Sequence, residues 1–243
     1  MKSIKLIVGS CLLFLLPVFS FSQKFWEISA SPGLMNYYGD LTPPLFTVKE
    51  VFFGGQISAR RYFDREHAIR VNILHGKLAG DDQNFDRNYL RGNRFEGRLT
   101  EFSVMGELDF KGRKRFSTRF GYEKMASLYL FGGGSIAYFD PTLHYGSADS
   151  KDKDVDYIKW HVGMPIGGGV KIDVNEKLVI GLELSYRFTI SDYLDGTQAS
   201  GNAYKNDSYT FGGISVGYRF FDKAKEKEAV QQPKVEGEPM PLQ

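Results

Sequence analysis

The chain has 243 residues, a formal net charge of +2, a mean hydropathy of −0.30, 27 glycines and 15% aromatic residues. That length is one large domain or two small ones. Near-neutral charge excludes an electrostatic nucleic-acid binder, which carries a concentrated basic excess. The hydropathy excludes a bundle of transmembrane helices, and the aromatic content excludes wholesale disorder.

Residues 1–22 read as a secretory signal. Lys2 and Lys5 form a positive n-region, Leu6 to Phe19 an apolar h-region too short for a spanning helix, and Ser20-Phe21-Ser22 a small-residue close with cleavage before Gln23. The single cysteine, Cys11, falls inside the h-region, so the mature chain has no thiol or disulfide chemistry. Val8-Gly9-Ser10-Cys11 faintly resembles a lipoprotein box, but the apolar run continues past it.

Eight strands are predicted after the signal, each from alternation of apolar and polar residues, which places them on opposite faces of a strand. They are Phe25 to Met35, Val51 to Phe63, His67 to Leu78, Leu99 to Phe110, Met125 to Phe139, Ile158 to Val174, Lys177 to Ser191 and Ser208 to Phe220. The seventh shows the pattern most clearly. Leu178, Ile180, Leu182, Leu184, Tyr186, Phe188 and Ile190 alternate with Val179, Gly181, Glu183, Ser185, Arg187 and Thr189. Its length is roughly twice that of an ordinary strand and suits a tilted bilayer crossing.

The connections alternate in length. Asn36 to Glu50, Ala79 to Arg98, Asp140 to Tyr157 and Asp192 to Asp207 are long, whereas Asp64 to Glu66 and Asn175-Glu176 are tight and Lys111 to Lys124 is intermediate. Short turns at one end and long loops at the other, with an even strand count, predict an all-β, eight-stranded antiparallel transmembrane barrel of the outer-membrane type. Both termini are then periplasmic. Tyr37, Tyr38, Tyr138, Tyr157, Tyr193 and Tyr209 lie near strand ends and are expected in aromatic girdles.

The inward parity carries Arg60, Arg70, Lys171, Arg187 and Arg219 against Glu27, Glu101, Glu107, Asp109, Asp173 and Glu183. A barrel of eight strands has room for side chains or one small ligand. Unpaired charges there are very costly, so a salt-bridged plug is expected. Because strands seven and eight are neighbours, Arg219 is the basic residue expected nearest Glu183.

Sites of chemistry are sparse. His67, His75, His144 and His161 do not form the His-x-Ser pattern of lipid-modifying barrels. Asp152, Asp154 and Asp156 have calcium-loop spacing without the glycine or closing glutamate. The glycine triplets 132–134 and 167–169 open no helix and precede no Gly-Lys-Ser/Thr, so they are not phosphate loops. In the intermediate connection, Arg113, Lys114, Arg115 and Arg119 form either a collar on anionic headgroups or a docking surface for a periplasmic partner. Residues 221–243 read as a charged, disordered tail.

Several segments carry a family resemblance: Asn36-Tyr37-Tyr38-Gly39-Asp40-Leu41 after Trp26-Glu27-Ile28, Gly76 to Asp82, Tyr129 to Gly134, Pro165 to Lys171, and Ser191 to Gly196. In this order, over roughly Phe25 to Phe220, the chain resembles the PorG-like outer-membrane barrels of Bacteroidetes-type bacteria. The resemblance implies a non-enzymatic component of the type IX secretion and gliding machinery. It would sit in outer-membrane lipid and contact a periplasmic ring formed by a lipoprotein and its partner, with no catalytic site and no cofactor. The other reading is a barrel of the same fold that acts on lipid or passes a small solute.

Overall fold

The computed structural model describes residues 25–39, 41–42, 49–84, 92–117, 121–146, 159–190 and 207–221. The signal segment, the aspartates 152, 154 and 156, Tyr157, Tyr193, Arg119 and the tail lie outside these residues.

Eight long strands follow one another: β1 Phe25–Tyr38, β2 Val51–Tyr62, β3 His67–Asp81, β4 Arg94–Asp109, β5 Ala126–Phe139, β6 Trp160–Asp173, β7 Leu178–Thr189 and β8 Ser208–Phe221. Each pairs antiparallel with its sequence neighbour, and β8 returns to β1 through Phe25↔Phe221 to Tyr38↔Ser208. The sheet therefore closes without a free edge, as a membrane-spanning sheet must. The strand termini Phe25 and Phe221 lie at the end with the short turns, here termed the hairpin end. The opposite end is the loop end.

Local chemistry sets the tight turns. Asp64 Oδ1 accepts the N–H groups of Glu66 and His67, both at 2.7 Å, and Asn175 Oδ1 accepts those of Lys177 and Leu178 at 2.9 and 2.8 Å. Such side-chain turns satisfy backbone donors that the ladder leaves open. The connection from β4 to β5 is more built than a loop. It contains one helical turn, Gly112–Arg115, and a two-residue hairpin, Phe116–Ser117 with Gly121–Tyr122. Gly112 lies so close to the carbonyl of Arg65 that no Cβ would fit, which folds this connection against the β2–β3 turn.

The faces divide as the alternation predicts. Outward residues form an apolar belt that includes Ile28, Ile73, Phe102, Leu130, Val162, Leu182 and Val216, each at least two-fifths exposed. Leu182 is 61% exposed and its neighbour Glu183 1%. A contiguous apolar surface of this extent belongs in hydrocarbon.

Two expectations need correction. First, strands extend further at the loop end than the alternation suggested: β3 runs to Asp81 and β4 begins at Arg94, within what reads as a polar loop. Leu78, Gly80, Phe95 and Leu99 keep the inward parity there, while the outward positions include the charged Lys77, Asp81, Arg94, Glu96 and Arg98. Second, Tyr37 and Tyr209 are not girdle residues. Both are buried inside the barrel, because each hydroxyl finds a carboxylate: Tyr37 donates to Asp207 and Tyr209 to Glu101, each at 2.5 Å.

Candidate functional site

The interior has two storeys. Nearer the loop end, Met35, Tyr37, Leu74, Leu78, Phe95, Leu99, Phe139, Tyr209 and Phe211 pack into an apolar cluster. Phe95 stands edge-on to Tyr37 at 4.8 Å and to Phe139 at 6.1 Å between ring centres. Nearer the hairpin end the interior is a lattice of charges. A salt-bridged plug was expected; the apolar storey above it was not. The apolar storey arises because Leu74, Leu78, Leu99 and Phe211 occupy the inward parity beyond the last lattice charge on each strand.

The lattice can be followed from side chain to side chain. Glu183 on β7 accepts from both terminal Arg70 nitrogens at 2.7 and 2.8 Å, from Gln56 at 2.7 Å and from the Tyr129 hydroxyl at 2.7 Å. Arg60 lies 3.7 Å from the same carboxylate, donates from Nε to Glu107 at 2.8 Å and reaches Glu27 at 3.2 Å. Lys171 pairs with Glu107, donates to the Tyr62 hydroxyl at 2.6 Å and stands 3.6 Å from Glu27. Arg219 joins Glu27 at 3.1 Å to Asp173 at 2.9 Å. Arg187 and Glu101 form a separate pair at 3.3 Å against the aromatic storey, with the guanidinium over the rings of Tyr209 and Phe211.

Two of these contacts span the barrel. In a ring of eight, β3 is opposite β7 and β2 opposite β6, and the bonds Arg70–Glu183 and Lys171–Tyr62 connect those walls directly. The lumen is occupied by side chain across its diameter at this level.

Every sequence-predicted lumen residue (Glu27, Arg60, Arg70, Glu101, Glu107, Lys171, Glu183, Arg187 and Arg219) is buried in the barrel interior. The expected pairing of Glu183 with Arg219 is not found. Backbone pairing sets Glu183 opposite Gly213, while the Arg219 N–H bonds to the carbonyl of Lys177. Six residues of strand therefore separate the two along β7, about 20 Å of rise, and Arg70 from the far wall takes the place.

Arg115 also departs from expectation. It was grouped with Arg113, Lys114 and Arg119 as a partner-facing surface, yet it is 1% exposed. Its side chain enters the hairpin-end mouth, pairs with Asp109, donates to Asp173 at 2.7 Å and bonds Ser127. Burial opposes its charge, but the carboxylates of Asp109 and Asp173 outweigh that and hold its proton more firmly than usual. Parity gave five cations against six carboxylates. Arg115 is the sixth, so the lumen count could have revealed it: a missing positive charge had to come from a connection. Lys111 and Lys114 of the same segment are exposed.

Among the described residues no cluster of histidine, cysteine and carboxylates is arranged to hold a metal. The lattice carboxylates are already committed to guanidinium, ammonium, amide and phenol donors, which is the arrangement of a structural plug.

Residues 6–225 match the family described as a domain of unknown function, DUF6089. The chain belongs to that family. No curated protein matches the DUF6089 chain in sequence. Among solved structures it is similar to the attachment invasion locus protein Ail of Yersinia pestis, at 12% identity and a TM-score of 0.45, covering 82% of this chain and 99% of that one. Neisserial surface protein A is similar at 13% identity and a TM-score of 0.46, covering 82% and 97%. The outer-membrane protein OprG of Pseudomonas aeruginosa is similar at 8% identity and a TM-score of 0.48, covering 83% and 97%. At these identities the likeness is one of fold.

Proposed function

We propose that this DUF6089 barrel is a non-enzymatic anchor of the outer membrane that holds a periplasmic secretion assembly, with its hairpin end and both termini in the periplasm. The observation that carries the reading is the side-chain lattice across the lumen: an obstructed barrel works through its ends and its wall rather than by passage. Short turns belong on the periplasmic side of bacterial outer-membrane barrels, which supports the orientation. The ordered segments that resemble PorG-like barrels support a place in the type IX machinery, with a ring lipoprotein and its partner as the contact.

The contact surface is narrower than the basic run suggested. Arg115 belongs to the lumen, which leaves Arg113, Lys114 and Arg119, with Lys111 beside them, as the groups for an acidic partner surface; of these, Lys111 and Lys114 are exposed. The test is affinity purification of the full chain from gently solubilised outer membrane, beside a deletion strain assayed for export and gliding. Co-purification of a periplasmic lipoprotein ring together with lost export is the expected result. A barrel that purifies alone from a strain with normal secretion would shift the reading to a lipid- or solute-active barrel.

A further inference from the structure

We propose that the outward face of the β3–β4 hairpin, just beyond the membrane belt at the loop end, binds the phosphate of a membrane-lipid headgroup through Lys77, Arg98 and Arg94. Strand register orders the outer surface into rows. Ile73, Phe102, Ile136 and Val162 are successive cross-strand partners, all apolar and exposed. Two residues further toward the loop end the row is His75, Thr100, Tyr138 and Trp160. His75 Nδ1 lies 2.9 Å from the Thr100 hydroxyl, and the Tyr138 and Trp160 rings meet edge to face at 5.1 Å. Amphipathic rings of this kind sit at the level of the headgroups. The next row is Lys77 opposite Arg98, about 7 Å further along the strands. Arg94 follows on the same face of β4, between Asp81 of β3 and His144 on its other side.

The charges there are unbalanced in a specific way. Lys77 and Arg98 are direct cross-strand neighbours, and like charges so placed repel. Glu96 is committed to Lys77 at 2.8 Å, and Asp81 accepts the N–H of Gln83 at 2.9 Å. Among the described residues neither Arg94 nor Arg98 has an ion-pair partner. The Lys77 ammonium is further held 5.2 Å from the Phe52 ring centre. A phosphate between Lys77 and Arg98 would be held from two sides, with the guanidinium fork of Arg98 matched to two phosphate oxygens and the Lys77 ammonium shared between the phosphate and Glu96. A lipid rather than a soluble anion fits, because the clamp continues the wall that carries the apolar row. A headgroup phosphate arrives with acyl chains to lie on Ile73, Phe102 and Ile136. A soluble phosphate would meet only exposed charges, which salt screens.

The experiment uses the full chain in nanodiscs of phosphatidylcholine with a minor fraction of phosphatidic acid, and counts retained lipids by native mass spectrometry. The wild type is expected to retain phosphatidic acid preferentially. Lys77→Gln with Arg98→Gln should lower that retention by about fivefold for each charge removed. Lys111→Gln with Lys114→Gln, at the other end, should leave it unchanged. Undiminished retention by a folded Lys77/Arg98 variant would overturn the proposal. Inorganic phosphate that displaces the lipid as well as added phosphatidic acid does would also overturn it, by making the site one for soluble anions. The single Arg98→Gln variant, altered only at an exposed side chain, decides the matter in the same way if the double variant does not insert.

Discussion

Removing the Glu183 carboxylate would leave Arg70 and Arg60 facing each other's charge in the buried lumen, with only Glu107 near both. Glu183→Leu should therefore cost about 3–5 kcal/mol, the penalty for an uncompensated buried charge. Adding Arg70→Met should recover most of it, since an apolar pair of similar volume replaces an ion pair at little cost. Urea unfolding of the refolded barrel, followed by its folded and unfolded gel mobilities, reads both effects; additive losses would mean that the two side chains are not coupled. Glu50 makes a different case, at the mouth and outside the spanning strands. Burial pushes its carboxyl above the usual value, against the bonds from Thr42, Asn84 and the Asp81 N–H that favour the charge. A raised folded value means that its contribution to folding is fullest below the ordinary value of 4.5 and is lost as pH rises through the folded value. The urea midpoint of the barrel should thus fall across that window. Glu50→Gln should flatten the dependence.

The elements differ in how openly the sequence declares them. Strands β5 to β8 are found within two residues of their expected ends, because apolar residues recur at every second position on either side of the glycine runs. The upper part of the β3–β4 hairpin was hidden, since outward Lys77, Glu96, Arg98 and Arg94 beside glycines give a composition resembling a loop. Only the inward Leu78, Phe95 and Leu99 mark it as strand. The helical turn Gly112–Arg115 was hidden for another reason: the inward side chain of Arg115 pairs with Asp109 and Asp173, the latter on a strand far along the chain. Arg115→Glu should accordingly damage the barrel. It would set three carboxylates at the hairpin-end mouth and cost several kcal/mol. Lys114→Glu, one residue away but exposed, should change stability by no more than about 0.5 kcal/mol. Chemical unfolding of the two variants separates them; equal losses would place Arg115 outside the mouth.

At the scale of the whole molecule, alternation settles which face a residue joins but not which residues meet across the lumen. Facing pairs depend on strand tilt and stagger, and neither is written in the parity of a single strand. That is why Glu183 finds Arg70 and not Arg219. What the parity does fix is the inversion of inside and outside, and that is open to direct measurement. A spin label at Leu182 should report hydrocarbon in a reconstituted bilayer, and one at Glu183 should not. Leu182→Arg should cost about 2–4 kcal/mol if the site lies near the midplane, falling toward the interfaces. The same architecture bears on conduction. The Arg70–Glu183 and Lys171–Tyr62 bonds join opposite walls, and the aromatic storey lies directly above them. An ion crossing this barrel would have to part paired charges and then enter an apolar cluster, and each step carries a large desolvation cost. Planar-bilayer recordings of the wild type should therefore show no large, stable conductance. Shortening Arg70 and Glu183 together, to alanine, opens the lattice but leaves the aromatic cluster, so the barrel should stay closed. A stable conductance in that variant would locate the seal at the Arg70–Glu183 level; continued silence would assign it to the remaining Lys171–Tyr62 bridge and the aromatic storey together.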